Sequence, residues 1–274
     1  MIETMPPIIT LTTDFGLQDE YVGVMKGILA AQAPQAQLVD ICHHVAPQDI
    51  CQASFLLQAA APCFPAGTIH LAVVDPGVGT PRKLLILRAM DQYFVAPDNG
   101  LLTPFLAEPL FQAAVFIDCP HLYRQPLSAT FQGRDILAPV AAALANGADL
   151  SRLGAQAFKE NLTKLASPTL QIDRIRGNIA GSVVHIDHFG NLTTNVHQRD
   201  LAELTADPAS IQVVHKKQHV TGLAGAYASP ADGQILALIG SRGYLELAAT
   251  NDNAARILGA EVHDPVRVSR GRKA

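Results

Sequence analysis

Short apolar runs alternate with helix-spaced stretches through the first half of the chain. IITLTTD (8–14) reads as a buried strand. Residues 19–33 follow with Val22, Met25, Leu29 and Gln32 at helical spacing, Ile28 beside them, and Pro34 as the stop. QLVDI (37–41) predicts a strand and QDICQASFLLQAAAP (48–62) a helix. TIHLAVVD (68–75), KLLILRA (83–89), YFVAPDNG (93–100) and AAVFID (113–118) read as strands, and GRDILAPVAAALANG (133–147) as a helix ending at Gly147. Strands alternating with helices in this way predict an α/β unit whose mostly parallel sheet is covered by helices.

The pattern changes after residue 150. NLTKLASPTLQIDRIRGN (161–178) reads as a connection. Beyond it come short strands broken by Gly, Asn and Pro: AGSVVHID, SIQVVHKK, QILALIG, YLELAAT and PVRVSR. Few long helical patterns occur there, so a smaller β-rich domain is expected, dividing the chain into residues 1–165 and 166–274. Internal repeats and low-complexity segments are absent from the sequence.

Composition narrows the class. The 274 residues are 49% apolar and 16% charged, ample for two cores. With a net charge of −4 and basic residues scattered except for the RVSRGRK tail, read as a solvated terminus, neither a nucleic-acid surface nor a basic membrane helix is expected. The first residues lack the charged and apolar regions of a secretory signal, and no apolar run approaches the length of a membrane span. Cys42, Cys51, Cys63 and Cys119 contain no C-x-x-C and fit reduced thiols, so a cytoplasmic protein is expected.

Candidate chemistry sits where ligands bind in open α/β sheets, at the carboxyl ends of strands. TTDFG (12–16), VDPGVG (74–79) and APDNG (96–100) each follow an apolar run with an acid and then a glycine. Acids in such places also cap helices and turns, and only their convergence points to a site. A G-x-G-x-x-G after the first strand and a Walker loop are both missing, which disfavours NAD enzymes and P-loop NTPases. A carboxylate after the first strand, Asp14, could instead hold ribose hydroxyls. Arg134 and Asp135 in TFQGRDILAP are compatible with simple capping. In HIDHFGNLTTN (185–195), His185 and Asp187 would share a strand face while His188 points away, too few ligands for a metal. GSRGYLEL (240–247) reads either as a hairpin or as a Gly-rich turn offering amides and Arg242 to an anion.

Six of these motifs occur in order from Thr13 to Glu246: TDFG, DPGVG, PDNG, F-x-GRD-x-x-AP, HID-x-FGNL-x-TN and GS-x-GYLE. Together they resemble the S-adenosylmethionine hydroxide adenosyltransferases, relatives of the fluorinating and chlorinating enzymes that use the same substrate. The resemblance implies an N-terminal α/β domain and a C-terminal β-barrel-like domain. It implies a homotrimer with sites between the N-terminal domain of one subunit and the C-terminal domain of its neighbour. The implied reaction is hydrolysis of S-adenosylmethionine to adenosine and methionine, with no cofactor and no metal. By motif, Asp14 would hold the ribose. Asp187, Phe189 and Asn191 would meet the methionine part or the adenine, with Ser241 and Arg242 completing the pocket. Asp75 and Arg82 would belong to the family's water-activating Asp-Arg-His set.

The third member of that set departs from the family: Gln132 stands where the pattern has histidine. An amide orients water but carries no proton near pH 7. The expectation is therefore a slow hydrolase using Asp75, Arg82 and Gln132, with two alternatives. One is a protein that binds S-adenosylmethionine or adenosine without turnover; the other is a metal-dependent hydrolase built on His185, Asp187 and a remote ligand. His70 is a poor substitute for the missing histidine, since five residues along a strand it faces away from Asp75. The halogenating branch fits less well, because Asp75 would repel a halide and the segment from Arg88 to Tyr93 is too short for the fluorinating enzymes' insertion.

Overall fold

A computed structural model describes residues 5–166, 168–227 and 231–271. The end of the basic tail, the first residues and Ser167 of the 161–178 connection lie outside the described residues. The chain divides into two compact units, Met1–Leu165 and Ala166–Ala274.

The first unit opens with β1 (Ile8–Thr13), α1 (Tyr21–Gln32), β2 (Gln37–Cys42) and α2 (Ile50–Ala60). Next come β3 (Ile69–Val73), β4 (Leu84–Ala89), β5 (Gln92–Pro97) and β6 (Phe111–Ile117), then α3 (Ala138–Ala145) and β7 (Gly154–Gln156). The strands form one sheet in the order β2-β1-β3-β5-β4-β6-β7. β2, β1, β3 and β5 run parallel, and the remaining pairings are antiparallel, so β6 rejoins the common direction.

The central strands are buried on both faces, which is why β3 reads as an unbroken apolar run and not as an alternation. On one face Ile9, Leu11, Leu71, Ile86 and Val95 pack against Met25 and Leu29 of α1 and Val140 and Leu144 of α3. On the other, Ala72, Leu85, Leu87 and Phe94 pack against Ala53 and Leu57 of α2. Each fully buried Leu or Phe contributes about 1.5–3 kcal/mol of burial free energy, enough to make this sandwich a rigid platform. Asp49 starts α2 by accepting from the Gln52 N–H at 2.8 Å.

The second unit holds β8 (Gln171–Asp173), β9 (Asn178–Ile186), β10 (Leu192–His197), α4 (Gln198–Leu204), β11 (Ile211–His215) and β12 (Gln218–Thr221). β13 (Ile235–Ile239), β14 (Tyr244–Ala249), α5 (Ala254–Leu258) and β15 (Pro265–Arg270) complete it. Its sheet is antiparallel throughout, in the order β12-β11-β15-β9-β10-β14-β13, with β8 beside β9. A bridge from Ala224 to Leu238 draws the two ends of the sheet together, giving a nearly closed barrel around Val183, Val196, Val213, Leu245 and Val266. β15 takes up residues that the sequence also offered as a solvated tail. Among the described residues no helix is long and apolar enough to cross a membrane.

Candidate active site

The chain leaves β1 through α1 toward β2, on one side, and returns through α2 to β3 on the other. α1 and α2 cover opposite faces of the sheet. Strand order therefore reverses at β1 and β3, and a crevice opens at their carboxyl ends, where Thr13 lies level with Val73. A cleft of about 390 Å³ occupies that crevice. Its walls include Asp14, Gln48, Asp75, Phe131 and Gln132.

Asp75 follows β3 in a tight loop that returns through Arg82. Arg82 Nε donates to Asp75 Oδ1 at 2.6 Å, and Nη2 donates both to Asp75 Oδ2 and, at 2.8 Å, to Gln132 Oε1. Of the five guanidinium N–H donors three are thus placed, and the two on Nη1 are buried without a partner. The pair is withdrawn from water, with side-chain exposures of 7% for Asp75 and 10% for Arg82. Because a guanidinium only donates, the Gln132 oxygen must face it, and the amide NH₂ is turned the other way. Gly77 gives the Arg82 side chain room to fold back over the loop: a Cβ there would stand 3.0 Å from Arg82 Cδ, tighter than ordinary contact.

Gln132 enters a single π-helical turn, Gly133–Leu137, that leads into α3. Such turns interrupt helices frequently at functional sites. Gly133 lets the turn lie against the end of β3 and against α1, since a Cβ would meet Val73 Cγ1 at 3.2 Å and Met25 Sδ at 3.4 Å. The Arg134–Asp135 pair of the same motif is structural. Arg134 donates to the fully buried Asp135 at 2.6 and 2.8 Å, and Asp135 also accepts from Ser128 N. The Arg134 hydrogen bonds hold the Asp135 carboxyl below its usual range.

On the β1 side, Asp14 accepts from the Gln48 N–H at 2.8 Å. Phe15, Tyr21 and Phe131 stand beside it, with ring centroids 5.3–5.9 Å apart. This aromatic wall was not legible in the sequence, because Phe131 joins Phe15 and Tyr21 from 110 residues further along the chain. It offers an apolar, polarisable surface of the kind a purine or a sulfonium can lie against.

The third strand-end acid does not join the cleft's lining. Asp98 accepts from Thr163 N at 3.0 Å, while Asn99 donates to the Val74 carbonyl and so braces the exit of β3. His70 is fully buried in mid-strand, between Thr10 and Gln92 and stacked on Phe94. Burial pushes its pKa down to about 4.

The remaining predicted residues lie in the second unit. β9 ends at Ile186, so the alternation does not continue through Asp187, which closes the following turn. Its carboxylate accepts from Phe189 N, Asn191 N and Asn191 Nδ2, each at 2.9 Å. Phe189 projects from this turn, 73% exposed, and Gly190 (φ +85°) makes room for Asn253, with which any Cβ would collide. Asp187, Phe189 and Asn191 line a cavity of about 630 Å³ together with Tyr227, Asn251, Asp252 and Asn253. Ser241 and Arg242 form the turn of the β13–β14 hairpin.

Tyr227 and Glu246 were not singled out from the sequence. Tyr227 Oη donates to the buried Glu246 at 2.9 Å. Desolvation and the bond to Glu246 push the phenol up to about 12. Gly240 leaves the space that the Glu246 carboxylate fills. Among the described residues no group of three or more His, Cys, Asp or Glu side chains is placed to hold a metal ion.

The family description "SAM hydroxide adenosyltransferase N-terminal domain" matches residues 9–154, and its C-terminal counterpart matches residues 181–267. A protein of Salinispora arenicola named (R)-S-adenosyl-L-methionine hydrolase is 37% identical, the match covering 97% of this chain and 98% of that one. A fluorinase of Nocardia brasiliensis is 28% identical over 88% of this chain and 90% of its own length. Among solved structures, an uncharacterized conserved protein from Thermotoga maritima superposes with a TM-score of 0.89 at 34% identity, covering 96% of this chain and all of that one.

Proposed function

The chain belongs to the SAM hydroxide adenosyltransferase family, and we propose that it hydrolyses S-adenosyl-L-methionine. Water, or hydroxide, attacks C5′ of the ribose as the C5′–S bond breaks. The sulfur keeps the bonding pair and leaves as neutral methionine, and adenosine and one proton complete the balance. The relatives' names suggest the epimer with R configuration at sulfur as the substrate form.

The observation that carries this reading is the hydrogen-bonded Asp75–Arg82–Gln132 set, of which Asp75 and Gln132 line the β1/β3 cleft. A sulfonium is already a good leaving group, so the enzyme's task is to align one nucleophile behind C5′. Alignment alone can supply several kcal/mol, up to about 7–11 in favourable cases. Asp75 holds the guanidinium rigid through a two-point contact. The unpartnered N–H groups on Arg82 Nη1 cost about 1–3 kcal/mol while unsatisfied, and an anionic or hydroxide-like oxygen would relieve that cost. Gln132 presents its NH₂ as a further donor. In this reading Asp14 holds the ribose, and Phe15, Tyr21 and Phe131 flank the bound nucleoside.

Asp187, Phe189, Asn191, Ser241 and Arg242 would complete the site from a neighbouring subunit of a homotrimer. The chemistry asks for no metal and no cofactor, because neither the leaving group nor the nucleophile needs a Lewis acid once Arg82 is in place. A second reading, ligand binding without turnover, draws on Gln132, which takes no proton.

Chelator-treated protein incubated with S-adenosylmethionine and followed by chromatography separates the two. Equal amounts of adenosine and methionine, rising with protein concentration, support the hydrolase. Saturable binding with no product above a protein-free blank supports the binder.

A further inference from the structure

We propose that His43 is a positioning residue for the ribose grip: acting through the Thr13 hydroxyl, it fixes where the Asp14 carboxylate stands. The inference rests on the reading of Asp14 as the ribose-holding acid.

Asp14 sits on the loop that leaves β1, and a carboxylate that receives two hydroxyls must be held within about half an ångström of its working position. The loop after β2 supplies that hold. Thr13 Oγ1 lies 2.9 Å from His43 Nδ1, Gly16 N donates to the His43 carbonyl at 2.7 Å, Val45 N donates to the Thr13 carbonyl at 3.4 Å, and Gln48 N donates to Asp14 itself. The two segments on either side of Asp14 are thus laced to residues 43–48.

His43 is the centre of this lacing, since it contributes both its ring and its carbonyl. Its imidazole is only 3% exposed. Nε2 stands 3.0 Å from Asp40 Oδ1, off the line of a hydrogen bond. Asp40 is in turn held by Lys26 Nζ of α1 at 2.6 Å. Nδ1 shares a hydrogen bond with the Thr13 hydroxyl, whose direction follows the ring's tautomer. The Thr13 oxygen then accepts from Phe15 N at 3.3 Å. One hydroxyl, oriented by one histidine, therefore spans the residues before and after Asp14. Thr13 is fully buried and does not line the cleft, so its contribution reaches substrate through Asp14.

The test compares binding of adenosine and 2′-deoxyadenosine by calorimetry, with turnover measured alongside. A charge-assisted pair from Asp14 to the ribose should make the wild-type enzyme prefer adenosine by about tenfold or more. Asp14→Asn sets the floor, with little preference left. His43→Ala and Thr13→Val should each lower the preference below about threefold while circular dichroism still reports a folded chain. His43→Asn, whose amide can take the place of Nδ1, should restore most of it. Should His43→Ala fail to fold, Thr13→Val tests the same link at nearly constant volume. A variant at either position that keeps the wild-type preference overturns the inference and leaves the ribose assignment standing. A wild-type enzyme with no preference overturns the ribose assignment and this inference with it.

Discussion

Replacing Gln132 by histidine is expected to raise turnover. The amide at this position accepts one hydrogen bond from Arg82 Nη2 and turns its NH₂ outward, so it contributes a fixed donor and no titration. A neutral histidine there has one acceptor nitrogen; turned to the attacking water it can take the proton, giving up the hydrogen bond that the amide accepts from Arg82. The neighbouring guanidinium charge favours the neutral ring, the form that takes a proton. General-base help is worth about 10²–10⁴ in rate, or roughly 3–5 kcal/mol at 1.36 kcal/mol per tenfold. Some of this is lost with that bond, because a hydrogen bond to a charged donor is worth about 1.5–3 kcal/mol. The net expectation is a gain of about tenfold or more in kcat.

The assay is timed chromatography of adenosine at saturating substrate between pH 5 and 9. The wild-type profile should carry no inflection from residue 132, whereas Gln132→His should add one, with activity falling on the acid side as the imidazole is protonated. An unchanged or lower kcat, with no new limb in the profile, would refute the assignment of this position to water activation. Gln132 would then be a structural brace for Arg82.

Asp75→Ala should abolish adenosine formation while substrate affinity stays near normal, since the loss falls on the chemical step; a collapse in affinity would make Asp75 a binding residue. The same variant leaves the buried Arg82 uncompensated and should lower stability by about 3–5 kcal/mol, read from urea denaturation. His70 predicts a pH-dependent stability. The unfolded chain takes up its proton near pH 6.5 and the folded chain only near pH 4, so the unfolded state holds more protons in between. Stability should be full above pH 6.5 and fall by about 3 kcal/mol on the way down to pH 4, and His70→Gln should remove that slope. An identical pH dependence in the variant would exclude His70 as the source.

The central sheet was legible because its strands are buried on both faces and so carry dense apolar runs; the sequence spans and observed strands agree closely from β1 to β5. β10 was not, although it is just as deeply placed. LTTNVH offers few apolar residues, yet Thr193 and Thr194 are buried. They satisfy themselves through Glu246 and the Leu245 carbonyl, at 3.3 and 2.9 Å. Hydrogen bonds across strands make polar residues admissible in a core, and hydropathy patterns do not record them. The π-helical turn at Gly133 escaped for a related reason: one widened turn leaves almost no trace in a 3.6-residue period.

The motifs themselves divide into residues that can act and residues that hold them. PDNG read as a third strand-end acid converging on the site, but Asn99 grips the end of β3 and Asp98 ties down Thr163, so the motif shapes the strand exit from which Asp75 projects. GRD pairs Arg134 with a buried Asp135, and its glycine lets Gln132 approach Arg82 along the end of β3. DPGVG keeps a glycine where the Arg82 side chain folds back over its own loop. Spacing along a chain cannot distinguish these roles, because an acid that reacts and an acid that braces obey the same local turn chemistry. What separates them is whether the carboxylate's hydrogen bonds are all spent on bracing the fold, as for Asp135, or leave a neighbour's donors unsatisfied, as Asp75 leaves those of Arg82. In the proposed hydrolase, that unsatisfied pair of N–H groups is what an oxygen nucleophile held at the β3 loop would meet.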